Sequence, residues 1–174
     1  MRLEDAKVLT LVSDDFDDLE FFYPMIRLKE AHAQVDVAAL SANTTYHGKY
    51  GLSVTSDIAF KDVDISTYDA LLIPGGWAPD ALRRIDDVLE FVRYMDQHNR
   101  VIGQICHAGW VLSSAGILKG RHVTSTPGIK HDLMYVGATW SDVPAIKDGN
   151  LVSGRRPPDL PIYLPYLLEA ILEL

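Results

Sequence analysis

Short apolar runs alternate with longer amphipathic stretches along this chain, and that alternation restricts the available folds more than any other feature. Lys7 to Val12 is an apolar β run, followed by an acidic loop and a helical stretch from about Leu19 to Ala31. Val35 to Leu40 is the next strand. Tyr46 to Ser56 reads as a hairpin, with Gly48 and Gly51 supplying turn conformations. Leu71-Leu-Ile-Pro-Gly-Gly76 ends a further strand, a helical pattern covers about Asp80 to His98, and residues 100–105 form a buried strand. His122 to Ser125 and Leu151 to Ser153 are late strands, and Leu160 to Leu174 is a closing helix. Strands separated by helices of about 10 to 15 residues predict a mostly parallel sheet covered on both faces, a doubly wound α/β fold. Such sheets bind ligands beyond the carboxyl ends of their strands. Three loops fall there: 13–20, 74–80 and the corner at 106.

The corner carries the only cysteine of the chain, Cys106, between an apolar strand and a helix expected over His107 to Leu118. A lone cysteine is often a small buried hydrophobe. At a strand-to-helix corner it stands instead where free backbone N–H groups and the helix dipole favour a thiolate. The spacing Gly103-x-x-Cys106-x-x-Gly109 is looser than a G-x-S-x-G elbow, with glycines on both sides for close backbone approach.

In the first loop, Ser13-Asp-Asp-Phe-Asp-Asp-Leu-Glu20, the aspartates read as solvated charges ahead of a helix. Glu20 differs because its neighbours are apolar. A carboxylic acid held there has a raised pKa and can hydrogen-bond a thiolate, although a helix-surface position fits the sequence equally well. In the second loop, Gly75-Gly76 can turn N–H groups toward an oxyanion or make a plain tight turn. It is no phosphate loop, since G-x-x-x-x-G-K-[ST] is absent. His107 adjoins Cys106, and its backbone N–H is the natural second oxyanion donor. The other histidines, His32, His47, His98, His122 and His131, show no metal-ligand spacing, and neither a metal nor a cofactor is expected. Trp77 and Trp110 flank the site in sequence; core packing is the first reading of both, and a wall narrowing the pocket is the second.

The bulk properties set limits. At 174 residues the chain is one domain, 1–174. A formal charge of −8 argues against nucleic acid as a partner. A single cysteine rules out an internal disulfide, and no apolar run is long enough to cross a membrane, so the chain is read as soluble and cytoplasmic.

Several segments, in this order, resemble the ThiJ/PfpI superfamily nearly from end to end. They are Asp18-Leu-Glu20-Phe-Phe-Tyr-Pro24, Tyr68-Asp-Ala-Leu-Leu-Ile-Pro-Gly-Gly76, Ile105-Cys106-His107, Thr124-Ser-Thr-Pro-Gly-Ile-Lys130 and Asp148-Gly-Asn-Leu-Val-Ser-Gly-Arg155. Within the superfamily the chain is most similar to PfpI-type intracellular peptidases and their glyoxalase- or deglycase-like relatives. The resemblance implies a flavodoxin-like sandwich, akin to class I glutamine amidotransferases, and a homodimer or an assembly of dimers. It implies Cys106 as nucleophile, Glu20 as the acid touching its sulfur, and the backbones of Gly76 and His107 as oxyanion donors. It also implies His107 as partner of the thiol, oriented by a carboxylate from a neighbouring subunit. The matching position holds Asp80, one methylene shorter than the usual Glu, and Thr126 stands where a Tyr is common; both departures count against proteolysis.

Three functions follow as expectations. The first is a cofactor-free cysteine enzyme attacking an electrophilic carbonyl, either a peptide or amide or a 2-oxoaldehyde. The second is a redox-sensing stress-response protein or chaperone that oxidises Cys106 reversibly. The third is a phosphoacceptor receiver built on Asp14, Asp15 and Asp57, which leaves the cysteine corner without a role.

Overall fold

The computed structural model describes Met1–Leu174. Its first half runs β1 (Lys7–Leu11), α1 (Asp18–Glu30), β2 (Gln34–Ala39), β3 (Thr45–His47), β4 (Ser53–Thr55), β5 (Ile58–Ala59) and β6 (Ala70–Ile73). Then come α2 (Ala78–Leu82), α3 (Asp86–Gln97), β7 (Val101–Ile105), a 3₁₀ turn (Cys106–Ala108) and α4 (Gly109–Ala115). The chain closes with β8 (His122–Val123), α5 (Lys130–Tyr135), β9 (Thr139–Trp140), β10 (Ala145–Asp148), β11 (Leu151–Gly154) and α6 (Leu160–Leu172).

Seven strands form the central sheet in the order β10-β11-β7-β6-β1-β2-β5. Every pairing is parallel except β10 with β11 at one edge. From β1 the chain winds outward through β2 to β5, then crosses back to β6 and winds the other way. The order therefore reverses between β1 and β6, and a crevice opens beyond their carboxyl ends.

Alternate strand residues feed the two faces, as a period of two requires. Leu9, Leu11, Leu71, Ile73 and Ile102 join Val88, Phe91, Val92 and Met95 of α3 in one apolar cluster. Val8, Ala70, Leu72, Val101 and Val152 join Tyr163, Leu164, Leu167 and Ile171 of α6 in the other. Gly103 and Gly154 make the second layer possible. A Cβ at Gly103 would stand 2.6 Å from the Tyr163 hydroxyl, and one at Gly154 would stand 2.8 Å from its ring.

The structure departs from the sequence reading in several places. The helix expected over 80–98 is two helices, because Ile85 adopts an extended backbone between them. The helix expected after Cys106 begins at Gly109 and stops at Gly116, whose φ of +82° ends it. The strand expected over 122–125 keeps only two residues and pairs with β9 outside the main sheet. Strand β10 was not anticipated, since all four of its residues are half-buried and show no alternation.

Candidate active site

The crevice between β1 and β6 is floored by the turn after β7. Cys106 has φ +61°, a left-handed conformation that costs a non-glycine residue about 1–3 kcal/mol and that clusters at functional sites. Its side chain is 8% exposed and belongs to the α6 side of the core. The strain lifts the sulfur out of the strand direction and places it 3.4 Å from Nδ1 of its own neighbour, His107. The backbone N–H of His107 is also directed at the sulfur.

The glycine loop after β6 closes over the thiol. A Cβ on Gly75 would collide with a carboxyl oxygen of Glu20 and lie 2.7 Å from Cβ of Cys106, so only glycine lets these backbones meet. Its N–H donates to Glu20 Oε2 at 2.7 Å. Gly76 has φ +74° and faces the acidic loop, where Asp17 N–H donates to Gly75 C=O and Trp77 N–H to Asp15 C=O. The Gly76 N–H donates to nothing in the chain. By contrast, Gly103 serves the core, and Gly109 lies against Leu133. The two glycines flanking Cys106 therefore serve packing, not the approach to the sulfur.

Glu20 is only 3% exposed, which decides between its two readings in favour of the buried acid. Burial, then the charge of Asp17, pushes its carboxyl up to about 8. Oε1 lies buried with no hydrogen-bond partner. Burial first, and then the Glu20 charge, also pushes the Cys106 thiol up, to about 12. The thiolate expected from the helix dipole is thus not the resting form: the α-helix begins three residues later, and desolvation outweighs it. The carboxyl and thiol share their protons as a pair, and two adjacent anions are disfavoured. His107 is held below the usual histidine range by burial and then by Lys49, so the ring is neutral at pH 7.

Two aspartates of the first loop are structural rather than solvated. Asp17 caps α1, accepting from Leu19 N–H at 3.1 Å and Glu20 N–H at 3.3 Å. Asp18 accepts from Tyr50 N–H at 3.0 Å and Leu52 N–H at 2.8 Å, which ties the hairpin to the start of α1. Gly48 is required there for close approach, since a Cβ would strike the Asp18 carboxylate; its φ is not positive, and it opens the turn by accepting from Gly51 N–H at 3.1 Å. Lys49 was missed in the sequence. From the hairpin its ammonium stands 3.6 Å from Asp17 Oδ2, and its charge acts on His107.

Trp77 stands outside the core, whereas Trp110 packs half-buried against the main apolar cluster, and both rings reach His107. The His107 ring lies 4.9 Å from Trp77 and 5.1 Å from Trp110, centroid to centroid. Trp77 is 54% exposed, and Trp110 donates to Asp132 at 2.8 Å. Within the chain Asp80 does not join His107: it pairs with Arg84 at 2.8 Å, on the lip of a hollow of 460 Å³. Thr126 N–H donates to the Cys106 carbonyl at 3.3 Å and steadies the turn. Asp57 accepts from Val37 N–H at 2.8 Å, and Asp14 from His47 N–H at 2.9 Å; these bonds hold the hairpin region, as structural carboxylates do.

Residues 6–170 match the DJ-1/PfpI family model. The chain belongs to the DJ-1/PfpI family. A deglycase of Pyrococcus abyssi is 42% identical over 154 residues, covering 88% of this chain and 92% of that protein. The putative cysteine protease YraA of Bacillus subtilis is 38% identical, covering 88% and 91%. A two-domain protein from Anabaena variabilis, with DJ-1/ThiJ/PfpI-like and ferritin-like domains, superposes with a TM-score of 0.93 at 34% identity. That superposition covers 95% of this chain and 48% of the longer one. The DJ-1/PfpI fold is therefore the frame that brings the three loops together here.

Proposed function

We propose that this DJ-1/PfpI protein is a cofactor-free cysteine enzyme acting on small electrophilic carbonyls of the 2-oxoaldehyde class and their adducts. One observation carries the reading: the strained Cys106 sulfur has an acid, an imidazole and an unused N–H around it. The thiol adds across the carbonyl. An S–C bond forms, the C=O π bond breaks, and the thiol proton passes to the Glu20 carboxylate of the singly ionised pair. The N–H groups of Gly76 and His107 hold the oxyanion until Glu20 returns the proton to it, giving a hemithioacetal. In a 2-oxoaldehyde, neutral His107 then moves the former aldehyde hydrogen, as a proton, to the adjacent carbon, while the hydroxyl proton passes from the former aldehyde oxygen to the former ketone oxygen. This oxidises one carbon and reduces the other, and water releases the resulting thioester as a 2-hydroxy acid.

Two observations favour a small carbonyl over a peptide. Trp77 and Trp110 crowd the mouth beside His107, and Asp80 is engaged by Arg84. The names carried by the relatives, deglycase and putative cysteine protease, agree with a carbonyl-attacking thiol. Burial of the thiol speaks against a peroxide sensor, which needs a stable exposed thiolate. Self-association belongs to the same reading, because α1 exposes Leu19, Tyr23 and Ile26 in one row.

The test measures lactate formed from methylglyoxal, beside cleavage of a fluorogenic peptide, by the wild type and Cys106→Ser. The expected result is methylglyoxal turnover that drops by about 10³-fold or more in the variant. Undiminished turnover in Cys106→Ser removes the thiol from the chemistry.

A further inference from the structure

One charged group at the crevice has no part in the chemistry described so far. Lys49 sits at the tip of the hairpin, anchored by its backbone N–H, which donates to the Phe16 carbonyl at 3.0 Å. Its side chain is 29% exposed, low for a lysine on a loop. The ammonium's partners within the chain are Asp17 and Tyr50. Its nearest carboxylate oxygen is Asp17 Oδ2, at 3.6 Å, and the Tyr50 ring centroid lies 4.9 Å away. Asp17 already spends Oδ1 on two N–H groups at the start of α1. The other groups acting on the thiol include no second cation: they are the Glu20 carboxyl, the Asp17 carboxylate and the neutral His107 imidazole. Phe16, which receives the Lys49 N–H, bridges Gly76, so the ammonium stands at the rim of the glycine loop that closes over the thiol, with the Asp17 carboxylate 3.6 Å away.

We propose that Lys49 is a specificity-determining residue of the site: its ammonium receives an anionic group carried by the substrate close to the carbon that Cys106 attacks. This rests on the carbonyl-attacking thiol proposed above and extends it. The site would favour carboxylate-bearing carbonyl compounds, or adducts of free amino acids, over neutral compounds of the same size. An anion arriving there gains a charge-assisted contact with the ammonium.

Two alkylating agents of nearly equal size isolate the charge. The Cys106 sulfur displaces iodide from iodoacetate, which is anionic, and from iodoacetamide, which is neutral. With a single cysteine, intact-mass measurement reads one site. The ratio of the two rates at fixed pH cancels any change in the fraction of thiolate. The expected ratio falls about fivefold in Lys49→Met, the effect of one partly solvated charge, and is retained in Lys49→Arg. In the wild type the preference for iodoacetate also shrinks as salt rises. An unchanged ratio in Lys49→Met overturns the proposal, and so does a ratio lost equally in Lys49→Arg. Neither measurement uses turnover, so a failure here is distinct from failure of Cys106→Ser to lose activity. Matching thermal midpoints of the variants confirm that each is folded.

Discussion

Replacing Glu20 by Gln should stabilise the protein as pH rises while removing its chemistry. The wild-type carboxyl titrates near 8 when folded and near 4.5 when unfolded. Between those values the folded state holds a proton that the unfolded state has released. Stability is therefore fully present below about pH 4.5, falls as pH rises through the interval, and levels off above about 8. A separation of about 3.5 units at about 1.4 kcal/mol each makes the full loss roughly 5 kcal/mol. Gln keeps an oxygen for the Gly75 N–H but cannot ionise, so it escapes that loss. Denaturant unfolding of both proteins from pH 5 to 9 reads the effect. The difference in stability should move steadily toward the variant up to about pH 8 and then hold constant. The same variant should lose most of its carbonyl turnover, because the carboxylate that takes the thiol proton is gone and only the weakly basic His107 ring remains beside the sulfur. A pH-independent stability difference over that range would refute the buried, raised carboxyl and the mechanism drawn from it.

Two further substitutions test the frame around the thiol. Gly75→Ala places a methyl against Glu20 and Cys106 Cβ; it should cost about 1–3 kcal/mol in denaturant unfolding and slow alkylation of Cys106. Asp18→Ala strands the N–H groups of Tyr50 and Leu52; it should cost about 2 kcal/mol, with amide exchange rising first across residues 45–55.

Much of the architecture was legible in the linear pattern, because a buried parallel strand must be apolar and a covering helix must carry an apolar stripe. The runs at 7–12, 35–40, 71–73 and 100–105 announced themselves in that way, each within a residue of the strand that forms. Strand β10 did not, since an antiparallel edge half-open to solvent has no such composition. The elbow at Cys106, the glycine loop and the acid at position 20 were also visible as candidates, being residues whose chemistry is unusual at the ends of strands.

The sequence by itself determined the order of the main strands and helices, the end of the sheet at which the three candidate loops meet, and the place of the one thiol among them. Tertiary structure alone decided which groups surround it. It buried Glu20, Asp17 and Asp18 while leaving other aspartates of the same loop in water. It turned the two tryptophans onto His107, and it carried Lys49 from a distant hairpin to the crevice. The reason is physical. Apolar periodicity is a local property of the chain, readable residue by residue. Burial and the electric field at a side chain depend on what folds against it, and those neighbours lie tens of residues away: Gly75 from Glu20, and Lys49 from Asp17.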